Sequence, residues 1–191
     1  MKKPIVFFDL ETTGADSKSA RIVEFAATRV EVNGTKKSMS FYCNPEEPIP
    51  IEAQEIHKIT NEQVAGLAKF KESAEDVADL FDGADIGTYN GETFDIPILI
   101  REMKIAGVPF SIEGRVSFDL LIMDRKVRNH KLASAYEAWT GKVMDVNKSH
   151  GAAYDTDCTA ELLPYLLDKY TALEPDWKEN QIIGVSEFIK K

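Results

Sequence analysis

With 191 residues, 43% of them hydrophobic and 29% charged, the chain has the make-up of one soluble globular domain and not of a disordered or fibrous polypeptide. A formal charge of −9 excludes a protein that coats nucleic acid through its own basic surface. The apolar run after Met1-Lys2-Lys3-Pro4 meets Asp9 too soon for a signal peptide, and no stretch approaches a membrane span, so a cytoplasmic protein without a membrane partner is expected.

Residues 4–10 (PIVFFDL) form an apolar run of strand length, as a strand buried on both faces would. Ile22 to Val32 is rich in β-branched residues and ends at Asn33-Gly34, a hairpin signal, after which Lys36 to Cys43 returns as the partner strand. Pro48 and Pro50 predict an irregular connection. Helical patterns follow at 61–66 and 72–82, the second with Ala74, Val77, Ala78 and Phe81 along one stripe. Asp85 to Tyr89 predicts a short strand, Ile96 to Ala106 a helix stopped by Gly107, and Val116 to Phe118 another strand. Helices near 119–127, 131–140 and 155–170 complete an α/β chain with a mixed sheet. Residues 174–191 read as a polar C-terminal arm. Cys43 and Cys158 match no metal or redox spacing and read as buried free thiols.

Three segments carry chemistry. In Phe8-Asp9-Leu10-Glu11-Thr12-Thr13-Gly14, residues two apart share a strand face, so Asp9 and Glu11 project together where the first strand ends. Two converging carboxylates repel each other and lose hydration, and hard divalent cations relieve both costs. A solvated strand end is the plain alternative for this pair. Asp95, in Asn90-Gly91-Glu92-Thr93-Phe94-Asp95-Ile96-Pro97, precedes an apolar helix, where a cap or first-turn acid is equally ordinary. Asp155, in His150-Gly151-Ala152-Ala153-Tyr154-Asp155, lies near the first turn of a helix, with His150 in the loop before it. A histidine in a loop is often only surface. Asp157 lies close by as a decoy.

Taken together, four acids and a histidine supply what phosphodiester hydrolysis asks for. Two metal ions roughly 4 Å apart stabilise the attacking and leaving oxygens, and the cations, not the protein's own bases, then face the phosphate. An imidazole with an unperturbed pKa of about 6.5 takes a proton from water near neutral pH.

These segments resemble the three exonuclease motifs of the DEDDh family of 3′→5′ exonucleases, the group of the proofreading epsilon subunit of bacterial DNA polymerase III. D-L-E-T-T-G is similar to the first motif, N…F-D-I-P to the second, and H-G-A-A-Y-D fits the H-x-A-x-x-D pattern of the third. Arg21-Ile22-Val23-Glu24-Phe25-Ala26 and Ile56-His57-Lys58-Ile59-Thr60 extend the likeness, with Lys58 where the family has glycine and Asn90 five residues before Asp95, one more than in many members. The resemblance implies an RNase H-like fold with a five-stranded mixed β-sheet flanked by helices, residues 1–173 as the exonuclease domain, and two divalent ions, Mg²⁺ or Mn²⁺, held by Asp9, Glu11, Asp95 and Asp155. It further implies His150 as general base, Thr12 and Phe94 lining the terminal-nucleotide pocket, and release of nucleoside 5′-monophosphates from a nucleic-acid 3′ end, single-stranded DNA first. A stand-alone nuclease and one loosely associated with a DNA polymerase subunit both fit the resemblance.

Four readings compete or stand open. An RNA-trimming exoribonuclease of the same family shares the chemistry. A phosphatase with Asp9 as nucleophile leaves His150 without a task. A non-catalytic polymerase-associated subunit would not need five intact site positions. The basic cluster Arg125 to Lys131 reads either as a phosphate-contacting rim or as a solvated turn, and Tyr136 and Trp139 as core residues.

Overall fold

The computed structural model describes residues 2–122, 131–145 and 147–173, with the backbone alone for 167–173. Arg125 to His130 of the basic cluster and the arm at 174–191 lie outside the described residues.

Five strands form one sheet in the order β3-β2-β1-β4-β5: β1 Ile5–Thr12, β2 Ile22–Val30, β3 Lys36–Tyr42, β4 Asp85–Thr88 and β5 Ser117–Asp119. β1 pairs antiparallel with β2 and parallel with β4, so the sheet is mixed, with β1 at its centre. That position explains the unbroken apolar run at the start of the chain, since both faces of β1 are covered. Phe8 packs with Phe81, Leu99 and Met103 on one face, and Phe7 with Leu162 and Tyr136 on the other. Phe7, Phe25 and Phe81 are fully buried, each contributing about 1.5–3 kcal/mol through the apolar surface it removes from water. The Asn33-Gly34 turn joins β2 to β3, with Gly34 at φ 85°, which suits glycine, and Asn33 Oδ1 accepting the Thr35 N–H. At Gly87 on β4 a Cβ would drive into the Phe7 ring of the neighbouring strand, so the close parallel packing there requires glycine.

Helices α2 (Asn61–Val64), α3 (Ala74–Phe81), α4 (Asp95–Ala106), α5 (Leu132–Thr140) and α6 (Ala152–Leu173) fall where apolar periodicity places them, numbered after a helix α1 at Ile51–His57. α1 replaces the irregular connection expected after Pro48 and Pro50. Pro50 stands at its N-cap, and the helix buries only Ala53 and His57 while Ile51 and Ile56 stay exposed, so it carries no apolar stripe to read. α3 and α4 cover one face of the sheet. α5 and α6 cover the other, where Tyr136 is buried and Trp139 packs against the same cluster as core residues. Cys43 and Cys158 are free and buried. No helix among the described residues is long and apolar enough to cross a membrane.

Candidate active site

Asp9 and Glu11 emerge from the same face of β1 as Ile5 and Phe7, the face that α6 covers. Glu24 stands opposite Glu11 on β2, with Tyr42 beyond it on β3. One row across the sheet therefore carries two carboxylates and an exposed aromatic ring.

Asp95 arrives from the other side. β4 ends at Thr88, and a loop brings the chain to α4, whose first residue is Asp95. Phe94 holds the cap position, so Asp95 is a buried first-turn acid and not the cap. The parallel pairing of β1 with β4 stops at Phe7 and Gly87, and the Leu10 N–H beyond it bonds to the Asp95 carboxylate. Gly91 lies so close that a Cβ there would meet Thr88 Cβ at 2.7 Å and Asp95 Oδ2 at 2.9 Å. Burial raises the Asp95 pKa to about 7, against the pull of its own and the Leu10 N–H groups and with a further push from Asp119.

Asp155 comes down from the first turn of α6, half-buried, with its Oδ2 accepting the His150 N–H at 3.3 Å. Its Oδ1 is buried without a hydrogen-bond partner. His150 is exposed and holds the left-handed conformation, φ 66°. The N-terminus of α6 is held to the sheet by Glu24, whose carboxylate takes the N–H groups of Ala152 and Ala153. Asp157, two residues further along α6 and so on another face of the helix, belongs to another place: it is exposed and its Oδ1 accepts the Thr28 hydroxyl at 2.9 Å.

Electrostatics tie these groups together. Burial first, then the charges of Asp95, Glu11, Asp155 and Glu24, hold Asp9 well above the usual carboxylate range. Burial, Glu24, Asp155 and Asp95 push Glu11 up to about 8. Burial likewise raises Asp155, against the His150 N–H and charge. The arginines nearest the sheet are engaged elsewhere, Arg21 with Glu102 at 2.6 Å and Arg29 with Glu31 at 2.6 Å. Among the described residues no three acidic, histidine or cysteine side chains are drawn close enough to make a finished metal site. The donor set nonetheless fits hard divalent cations in chemistry: oxygen ligands, uncompensated negative charge, and one buried oxygen with no partner.

Beside the acids lies a cavity of about 350 Å³, lined by Leu10 to Ala15, Ala53, Ile56, His57 and Phe94. Thr12 and Phe94 thus both line it. The Thr12 hydroxyl donates to the Gly14 carbonyl at 2.8 Å and so also shapes the turn, while Thr13 donates to Glu47 at 2.6 Å and ties it to a distant part of the chain. His57 is buried in the cavity wall; its Nδ1 accepts the Ile59 N–H at 3.0 Å, and its Nε2, on the Thr12 carbonyl side, completes no bond. Lys58 sits at the C-cap of α1 with φ 65°, a conformation glycine adopts without strain. Asn90 is exposed. Glu24 and Asp119 escaped the sequence reading as site residues. A lone acid inside Ile22-Val23-Glu24-Phe25-Ala26-Ala27 is the signal that marks Glu24, since a charge within a strand buried on both faces demands a partner.

The RNase_T family model, described as Exonuclease, matches residues 6–163. DNA polymerase III subunit epsilon of Rickettsia prowazekii is 34% identical over 64% of this chain and 55% of its own length. DNA polymerase III PolC-type of Mycoplasma genitalium is 32% identical over 52% of this chain and 7% of its own, and the 3′-5′ exonuclease DinG of Bacillus subtilis 28% identical over 90% and 18%. The chain therefore spans about half of the epsilon relative and less than a fifth of the other two. Among solved structures, E. coli Exonuclease I in complex with a dT13 oligonucleotide superposes with a TM-score of 0.74 at 20% identity, over 92% of this chain and 43% of that one. The likeness shows the fold, an RNase H-like mixed sheet of five strands with flanking helices.

Proposed function

We propose that this chain, which belongs to the exonuclease family, works as a metal-dependent 3′→5′ exonuclease on single-stranded DNA and releases nucleoside 5′-monophosphates. One observation carries the reading: acids from three distant stretches come to the end of β1, where the Asp95 carboxylate takes the N–H of Leu10, between Asp9 and Glu11, and Glu24 opposite Glu11 holds the start of the helix that carries Asp155. Residues 1–173 constitute the exonuclease domain in this reading. Asp9, Glu11, Asp95 and Asp155 would hold the ions, two of Mg²⁺ or Mn²⁺. Such ions, when bound, stabilise the attacking and leaving oxygens of an in-line displacement.

The rest falls to the chain's own groups. His150, in its exposed loop and tied through its backbone to Asp155, takes the proton of the attacking water at its imidazole. The apolar cavity beside Glu11 receives the terminal nucleotide, with Thr12 and Phe94 in its wall, and the Phe94 ring stacks on a base without reading its sequence. The relatives, a DNA polymerase III subunit epsilon and a 3′-5′ exonuclease, and the oligonucleotide bound to Exonuclease I support this substrate class, and make a polymerase subunit the natural partner to test.

The deciding experiment digests matched single-stranded DNA and RNA oligonucleotides, labelled at the 5′ end, with and without EDTA. Stepwise shortening of the DNA from its 3′ end, abolished by EDTA, is the expected result. Faster digestion of the RNA would transfer the reading to an exoribonuclease, and digestion that survives EDTA would end it.

A further inference from the structure

Asp119 closes β5 at the end of the sheet where the acids gather, in register with Thr88 on β4. It is 2% exposed and is not one of the four acids assigned to the ions. Its carboxylate is filled by backbone donors. Oδ1 accepts the N–H of Asn90 at 2.9 Å, of Leu121 at 3.0 Å and of Ile122 at 3.3 Å, and Oδ2 accepts the N–H of Glu92 at 3.4 Å. One buried side chain thus ties the start of the helical segment after β5 to both sides of the loop between β4 and α4.

The middle of that loop is Gly91, which the two tied residues flank. Asn90 holds φ 69°, the left-handed region that asparagine enters more readily than other residues with a Cβ. Gly91 is pressed onto Thr88 and the Asp95 carboxylate, and its carbonyl accepts the Ile96 N–H at 3.0 Å. Releasing Asn90 and Glu92 therefore frees the segment that packs against Asp95 and starts its helix.

We infer that Asp119 is a positioning residue: through Asn90 and Glu92 it clamps the Gly91 loop against Asp95 and so fixes that carboxylate relative to Asp9 and Glu11. Its oxygens are occupied by N–H groups, which separates it from a fifth ligand to the ions. This inference rests on the nuclease reading for its kinetic part and on the hydrogen bonds alone for its structural part.

The test compares Asp119→Ala and Asp119→Asn with the unaltered chain, reading turnover, KM and amide hydrogen exchange in metal-free protein. Asparagine keeps an oxygen for the three Oδ1 bonds; alanine keeps none. In Asp119→Ala the Asn90 and Glu92 amides are expected to lose protection, and kcat to fall on the order of 100-fold, the loss a displacement of about 1 Å causes in a catalytic group, with KM little changed. Asp119→Asn is expected to restore protection at Asn90 and most of the turnover. Should the alanine variant not fold, Asp119→Asn decides through the Glu92 N–H, which loses its Oδ2 acceptor: lost protection there with a partial fall in kcat is expected, and unaltered protection and turnover overturn the inference. Unaltered exchange and turnover in Asp119→Ala would overturn the inference. So would an Asp119→Asn variant that keeps protection yet has no activity, because charge rather than clamping would then be what matters. If the chain is no nuclease, no variant has turnover to lose, while the exchange result stands by itself.

Discussion

Glu11 on β1 and Glu24 on β2 face each other across an antiparallel pair, on the one sheet face that α6 covers. Like charges placed so are destabilising, and a fold keeps them only where something else uses them. Glu24 has its use in the N–H groups of Ala152 and Ala153; Glu11 meets burial and the further carboxylates of Asp155 and Asp95.

The first prediction concerns pH and metal. Glu11 is raised from 4.5 to about 8, and Asp95 from 3.8 to about 7. A folded pKa above the unfolded one means that the folded state binds more protons between the two values. Their contribution to stability is therefore full below the unfolded pKa and is lost as pH rises through the folded value. Metal-free protein should melt at progressively lower temperature from about pH 5 to pH 8. Mg²⁺ at about a hundred times its dissociation constant should add roughly 5–10 °C, most at the alkaline end, where the carboxylates are free of protons. Thermal unfolding across that range, with and without Mg²⁺, is the measurement. A melting temperature indifferent to Mg²⁺ at every pH counts against the carboxylates as an ion site.

A second prediction separates two aspartates that differ by two positions. Asp155 has a buried oxygen without a partner; Asp157 is exposed and bonded to Thr28. Asp155→Asn should lower turnover by more than about 100-fold, since its effect falls on the ion site itself. Asp157→Asn should leave turnover near that of the unaltered chain and cost at most about 1 kcal/mol, because the amide oxygen still accepts the Thr28 hydroxyl and only the charge of the acceptor is lost. Steady-state rates on one oligonucleotide settle it, and equal losses from both would mean that Asp155 is misassigned.

Legibility in the sequence followed burial. β1 and β2 announced themselves because two covered faces leave an unbroken apolar run, and the Asn33-Gly34 turn fixed the hairpin that follows. α1 stayed hidden because it buries almost nothing, only Ala53 and His57. At the site, the three acidic segments were legible one by one, each with an ordinary alternative, but their convergence was expected from the family resemblance and not from the residues themselves. It depends on β4 pairing parallel to β1 and stopping at Gly87, which leaves the Leu10 N–H for Asp95. Asp119 was illegible for the same reason: an aspartate after Phe118 looks like any strand end until its four N–H partners are in place.

Lys58 gives a third prediction, on stability. It caps α1 in the left-handed conformation at φ 65°, where a Cβ is crowded and glycine is not. Lys58→Gly should gain up to about 1 kcal/mol, offset in part by the greater freedom of glycine in the unfolded chain, and raise the melting temperature by up to roughly 4 °C. A lower melting temperature would show that the lysine side chain contributes more than its backbone strain costs.

The last prediction tests the general base. His150 is exposed, so its side chain contributes little to the core, yet its backbone is held at φ 66° with its N–H on Asp155. Strain of that kind, about 1–3 kcal/mol, persists where the surrounding structure imposes it, and it gathers at working sites. His150→Ala should therefore lose about 10²–10⁴ in kcat while binding Mg²⁺ as the unaltered chain does, because the imidazole moves a proton and holds no ion. His150→Gly should be equally slow but more stable than the alanine variant, by about 1 kcal/mol, since glycine takes the left-handed conformation freely. Turnover, calorimetric Mg²⁺ binding and melting temperature measured on both variants distinguish the two roles of the residue, chemical and conformational. Full turnover in His150→Ala would remove the histidine from the mechanism, and lost Mg²⁺ binding would move it among the ligands.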